Sequence, residues 1–244
     1  MLEIPRHDQR MKNLSAHAPP ALLFLSLTAA AIVASPELGF SRSVTPGLIV
    51  HYAGLFGPGA RARLEGWKDF VRGTADRIRP VQRSAGDVQF LAPVNSFFNR
   101  VPAAVDMDRW GVEDYWATPA ETLSVNGADC EDYAIAKYFM LKELGIPIAK
   151  LRLVYAKTWW SSQNAHLVLA YYSDPRADPL LLENLQGSIE RAAERPDLIP
   201  VFTFNEEDLL FPQNQNDGSV PRVNPSSNRK WREVVEKLQR ELTY

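Results

Sequence analysis

Hydrophobic positions are distributed in three ways along these 244 residues. Near the start, an apolar run from Ala21 to Ala34 has no amphipathic pattern, and Ser35–Pro58 after it has no clear period, so its order is uncertain. Past Gly57-Pro58-Gly59, Leu64, Trp67 and Val71 recur at helical spacing and predict a helix over Ala60–Val71; Pro80 interrupts the chain beyond it. Asn95–Val101 and Arg109–Ala117 are dense in aromatics, most of them assigned to the core. Thr118-Pro119-Ala120-Glu121 has the form of a helix start, with proline first and a carboxylate in the first turn.

Cys130–Leu144 is apolar nearly all round and predicts a buried central helix, with Gly145 as its C-terminal cap and Pro147 barring continuation. Three strand-like runs come next: Leu151–Tyr155, His166–Tyr172 and Leu180–Leu185. A polar loop, Lys157–Ala165, joins the first two and carries Trp159-Trp160, which either lines a groove or packs onto the core. Ser173–Asp178 forms the next turn, and Asn205–Ser227 reads as a long loop rich in Asn, Pro and Gly. Trp231, Val234, Val235 and Leu238 then mark an amphipathic C-terminal helix over Arg229–Leu242. There is no internal repeat.

Composition narrows the picture. The length suits one globular domain with small appendages. With 45% hydrophobic and 23% charged residues and a formal net charge of −2, nothing calls for nucleic acid or an anionic membrane as partner. Four histidines, at 7, 17, 51 and 166, are too scattered for a multi-histidine zinc site. Arg10 and Lys12 precede the apolar run, which is shorter than the ~20 residues of a membrane span. Ala29-Ala30-Ala31 offers a cleavage site, so residues 1–31 read as a signal peptide; a buried core helix and an uncleaved anchor are the alternatives. Cleavage would remove Arg6, Arg10 and Lys12 against Glu3 and Asp8 and leave an exported chain of net charge −3.

Export gives weight to Cys130, the one cysteine. It cannot form an internal disulfide, so an intermolecular bridge or a functional thiol remains. A helix N-terminus favours a thiolate, and chain order supplies His166 as a base and Glu183, followed by Asn184, as a group to orient it. Alternation places His166 on one strand face with Val168, Ala170 and Tyr172. The bland readings are a small buried hydrophobe, a structural histidine and a solvent-facing edge glutamate. Asp129, Glu131 and Asp132 oppose the thiolate: at roughly 6 Å and an effective dielectric near 20, each charge costs on the order of 3 kcal/mol. Either these acids point away and complement the helix dipole, or a cation neutralises them. Oxygen-only ligands then favour Ca²⁺. Asp129 and Asp132 share a helix face, while Glu131 points elsewhere but can be reached by the preceding loop.

GADCEDYAIAKYFML (Gly127–Leu141), KLRLVYAKTWW (Lys150–Trp160), AHLVLAYY (Ala165–Tyr172) and PLLLENL (Pro179–Leu185) resemble the bacterial transglutaminase-like cysteine proteinases, the family of the periplasmic LapG-type proteases. FFNRVP (Phe97–Pro102), WGVEDYWATPAETL (Trp110–Leu123) and VFTFNEEDL (Val201–Leu209) fit the same pattern. The resemblance implies an α+β, papain/transglutaminase-like domain over residues 55–244, with the nucleophile's central helix packed against an antiparallel sheet. It implies a Cys-His-acid triad at Cys130, His166 and Glu183 and a calcium site at Asp129, Glu131 and Asp132. It further implies a periplasmic, calcium-dependent endopeptidase that cleaves a large repeat adhesin near its N-terminus, releases biofilm cells and is restrained by an inner-membrane cyclic-di-GMP receptor. One departure matters: the family has Leu-Asp-Asn-Leu where this chain has Leu182-Glu183-Asn184-Leu185. Amine transfer at the same site, or a non-catalytic calcium-binding partner protein on the same fold, remain alternatives.

Overall fold

Thr45 caps the first described helix, α1 (Pro46–Phe56), by accepting the Leu48 N–H at 3.0 Å. The structure is a computed structural model that describes residues 44–158, 161–211 and 222–244, without the side chains of 78–85, 161–164 and 222. The expected signal peptide and Trp159-Trp160 lie outside the described residues, as do residues 212–221 of the long loop expected over Asn205–Ser227; its described parts include the short strands Leu209–Leu210 and Arg222–Val223.

Helix α1 occupies a segment whose hydropathy gave no order. Its apolar residues lie all round it, so no period marks it, and it is held by burying Leu48, Ile49 and Tyr52. It packs on α2 (Pro58–Ala85), whose inward stripe of Leu64, Trp67, Val71 and Ala75 is buried as the spacing requires. Contrary to expectation, α2 runs through Pro80. The ring removes one intrahelical hydrogen bond, but tertiary packing of the stripe, rather than local propensity, carries the helix.

Helices α3 (Leu91–Phe98) and α4 (Asp106–Trp110) lead to α5 (Pro119–Val125), where Thr118 and Glu121 form a full capping box. The next helix, α6 (Cys130–Glu143), is buried from Asp132 to Leu141. It ends with the Gly145 N–H on the Lys142 carbonyl and the Ile146 N–H on that of Leu141. Gly145 adopts φ 93°, a conformation that only glycine takes without strain.

The sheet contains β1 (Leu151–Thr158), β2 (Ser161–Tyr171), β3 (Leu180–Leu182), β4 (Glu190–Arg191), β5 (Leu198–Phe204), β6 (Leu209–Leu210) and β7 (Arg222–Val223), in spatial order 4-3-2-1-5-6-7 and antiparallel throughout. Most of the expected polar loop Lys157–Ala165 is strand, because β1 and β2 form a tight hairpin with a register shift after Lys157. One face carries Leu153, Leu167, Leu169, Tyr171 and Phe204 into the core shared with α6. The opposite face gathers Val154, Ala156, Val168, Ala170, Leu181 and Leu198. Helix α7 (Arg229–Glu241), capped by Asn228, lays Trp231 parallel to Phe139 at 5.7 Å and edge-on to Phe204 at 5.4 Å. Truncating Trp231 to alanine would cost about 3–5 kcal/mol, the usual range for a buried tryptophan. The architecture is the α+β arrangement expected, a central helix against an antiparallel sheet.

Candidate active site

Cys130 opens α6 after a segment that is itself pinned. Ala104 N–H bonds the Ala128 carbonyl and Ala128 N–H the Pro102 carbonyl, a short parallel bridge that fixes the approach to the helix. Gly127 is required there: a Cβ would lie 2.7 Å from the Arg109 guanidinium and 2.9 Å from the Ala104 methyl. The first intrahelical bond runs from the Tyr133 N–H to the Asp129 carbonyl, so the Cys130 N–H has no partner within the helix.

The Cys130 thiol is half-buried and donates to Glu131 Oε2 at 2.8 Å. Burial, then the Glu131 charge, push its pKa well up; the backbone N–H of Leu167, directed at the sulfur, acts in the opposite sense. Sulfur and β2 therefore meet beside His166. Among the described residues no hydrogen bond joins Cys130 to His166; the thiol proton is given to Glu131.

The acids form a larger group than the sequence indicated. Ligand oxygens of Asp106, Asp129 and Asp132 lie within 4.8 Å of one another, and so do those of Asp106, Asp114 and Glu131. Asp106 is common to both. Asp129 and Asp132 thus fall together, and Glu131 is approached by the preceding loop, as helix geometry anticipated. Asp106 and Asp114 escaped the sequence reading because they sit 16 or more residues before Cys130 among aromatics assigned to core. No spacing signal links them to it. Tyr115 N–H donates to Asp106 Oδ2 at 2.5 Å and Ala117 N–H to Asp132 Oδ1 at 2.7 Å, while Asp129 Oδ1 is buried without a partner. Burial, followed by mutual repulsion, raises the pKa of Asp129 and holds Asp132 well above the carboxylate range; burial also raises Asp106 and Glu131. An all-oxygen, partly buried donor set with an orphan carboxylate oxygen fits a hard divalent cation such as Ca²⁺.

His166 and Glu183 are the pair the structure brings into direct contact. His166 Nε2 lies 3.1 Å from Glu183 Oε2, which leaves Nδ1 to exchange a proton with another group. Glu183 is no edge residue: it is 2% exposed, just past the end of β3, which stops at Leu182 rather than the expected Leu185. The strand ends there because Glu183 folds back on its own turn, accepting the N–H groups of Leu185 (3.2 Å) and Gln186 (2.8 Å). Burial opposes its ionisation, yet the His166 hydrogen bond, the Arg195 charge and the Gln186 N–H together hold its pKa below the usual value. Asn184, the other candidate for this role, keeps its Oδ1 buried and unpaired.

Two further side chains hold the Glu183 backbone. Lys137 of α6, fully buried, donates to the Glu183 carbonyl at 2.9 Å, and Asn99 at the end of α3 donates to the same oxygen at 3.0 Å. Burial pulls the Lys137 pKa down to about 7. A lysine inside an otherwise apolar helix was the available sequence signal for it. Lys137 is seven residues, two helical turns, beyond Cys130, so one face of α6 carries the thiol and a brace for the residue that holds His166.

The model for the bacterial transglutaminase-like cysteine proteinase family, BTLCP, matches residues 69–196. Legionella pneumophila LapG is similar in three solved structures. The calcium-bound form superposes with a TM-score of 0.61 at 32% identity, covering 78% of this chain and 97% of that one. The EGTA-treated form gives 0.64 at 32% identity, covering 78% and 95%. A third LapG structure gives 0.65 at 30% identity, covering 84% and 98%. No curated protein matches the chain.

Proposed function

The chain belongs to the bacterial transglutaminase-like cysteine proteinases, and from that premise we propose that it is a calcium-dependent periplasmic endopeptidase that cuts a large surface adhesin near its N-terminus. The observation that carries the chemistry is the His166–Glu183 pair on the strand whose Leu167 N–H faces the Cys130 sulfur.

In this reading Cys130 Sγ attacks the scissile carbonyl, and the S–C bond forms as the thiol proton passes to His166 Nδ1. Glu183 holds the ring through Nε2 and stabilises the imidazolium. The Cys130 N–H at the open start of α6 is available to the developing oxyanion. His166 then gives the proton to the leaving amine, and water, activated by the same nitrogen, releases the acyl group. Asp106, Asp129, Glu131 and Asp132 would hold the calcium, with Asp114 beside them; bound there, it would supply positive charge against carboxylates that otherwise oppose the thiolate. A calcium-bound structure of the related LapG supports this use of calcium.

Cleavage of a large repeat adhesin after paired small residues, biofilm release and restraint by an inner-membrane cyclic-di-GMP receptor are part of the proposal and rest on the family resemblance. Export rests on the signal-like N-terminus; among the described residues no helix is long and apolar enough to cross a membrane. Incubating the mature protein with an adhesin N-terminal fragment tests the reading. Cleavage is expected with Ca²⁺, and loss of it in EGTA or in Cys130→Ala. Cutting that survives Cys130→Ala refutes the nucleophile, and cutting indifferent to EGTA refutes the role of calcium.

A further inference from the structure

Glu183 carries a guanidinium. Arg195, 3% exposed, donates through Nη1 to Glu183 Oε1 at 3.1 Å. Its Nε and Nη2 grip Asp197 as a fork at 2.9 and 2.8 Å, with Glu190 3.8 Å from Nε. The two oxygens of Glu183 are therefore divided. Oε1 takes Arg195 and the Gln186 N–H, whereas Oε2 takes His166 and the Leu185 N–H.

A glutamate has one more rotatable bond than the aspartate expected at this position, and an unrestrained carboxylate would turn about it. An arginine anchored at its far end by a bidentate pair removes that freedom, because Oε1 cannot leave the guanidinium without leaving a buried Nη1 donor unsatisfied. We propose that Arg195, braced by Asp197, is the positioning residue that fixes the Glu183 carboxylate so that Oε2 stays on His166 Nε2. Asp197–Arg195–Glu183–His166 is then a buried relay of orientation that ends at the imidazole, and the longer acid is tolerated because its other oxygen is clamped. The inference rests on the reading of His166 as the proton carrier for Cys130.

The test uses the full mature chain loaded with calcium and two readouts: the rate of Cys130 alkylation by iodoacetamide near neutral pH, and the imidazole ¹⁵N spectrum of His166. Arg195→Gln is expected to slow alkylation about tenfold, within the range of coupling inside one ion-pair network. It should also turn a single Nε2–H tautomer of His166 into a mixture. Arg195→Lys, which keeps the charge and one donor, should recover most of both. In a Glu183→Gln background, Arg195→Gln should change alkylation by less than about twofold, since the group it acts through is already lost. An equal loss in both backgrounds, faster alkylation, or an unchanged His166 spectrum overturns the positioning role. If Arg195→Gln does not fold, Asp197→Asn takes its place: a clamp loosened at its far end should give the same change in the spectrum, and an unaltered spectrum overturns the proposal. Alkylation that His166→Ala leaves untouched overturns the proton-carrier reading, and the inference with it; alkylation that responds to His166→Ala but not to Arg195→Gln overturns the inference alone.

Discussion

Glu183 and the acidic group around Asp106 are both withdrawn from solvent, and they behave in opposite ways. Glu183 is surrounded by donors: one guanidinium, one imidazole and two N–H groups, which keep its pKa below the ordinary value despite burial. Asp106, Asp129, Glu131 and Asp132 face mostly one another, and burial raises all four. Beside this group, Lys230 pairs with Asp114 at 3.1 Å. Glu183 is thus satisfied by the protein's own charges, while the cluster has a donor set suited to a dication. Glu241 falls between them: it accepts the hydroxyls of Tyr52 (2.6 Å) and Thr118 (2.5 Å), and burial lifts its pKa to about 7 in spite of these neutral donors. Charge of the partner, more than the number of hydrogen bonds, separates the three cases.

The largest effect is expected at Glu183. Glu183→Gln keeps the shape but removes the anion, so adhesin-fragment cleavage should fall by about 10²–10⁴-fold, as when the acid of a hydrolase triad is neutralised. The same change takes one carboxylate from Arg195, which keeps Asp197, and should cost about 1–3 kcal/mol in urea unfolding, with or without calcium. A loss confined to calcium-free protein would mean that Glu183 belongs to the same electrostatic system as the cluster.

At Glu241 the expected effect is of intermediate size. Its folded pKa lies above the ordinary value of 4.5, so its contribution to stability is complete below about pH 4.5 and is lost as pH rises through about 7. The shift corresponds to roughly 3 kcal/mol. Urea midpoints at pH 4.5 and 7.5 should therefore differ more for the wild type than for Glu241→Gln by about that amount; identical pH dependence would show that Glu241 ionises normally in the fold.

The sequence carried these regions unequally, for physical reasons. Helix α6 was readable because its apolar run is bounded by local signals, a polar start and Gly145. His166 was readable by strand alternation and Glu183 as a charge inside an apolar run. Cys130, Asp129, Glu131 and Asp132 are contiguous, so their proximity needed no fold. Asp106 and Asp114 reach them only through the bridge at Ala103–Ala128 and the turn before α5, which local pattern does not encode. Arg195, Asn99 and Lys137 are likewise joined to Glu183 only by tertiary packing. Strand β5 went unread because Pro200 interrupts its pattern, and α1 because it is apolar on every side.

The central claim, that the acidic cluster is completed by a cation whereas Glu183 is complete by itself, is tested most directly by Asp129→Asn. Asp129 Oδ1 is buried and unpaired, and its side chain makes no capping hydrogen bond, so the isosteric amide changes little except charge. Urea unfolding is measured for the wild type and the variant, each in EGTA and in saturating Ca²⁺. In EGTA the variant should be the more stable by about 1 kcal/mol or more, because an amide bears neither the repulsion nor the cost of protonation that burial and the neighbouring acids impose on this carboxyl. In Ca²⁺ it should be the less stable by about the same amount or more, because a ligand is gone. A variant that is less stable, or more stable, in both conditions would contradict the account.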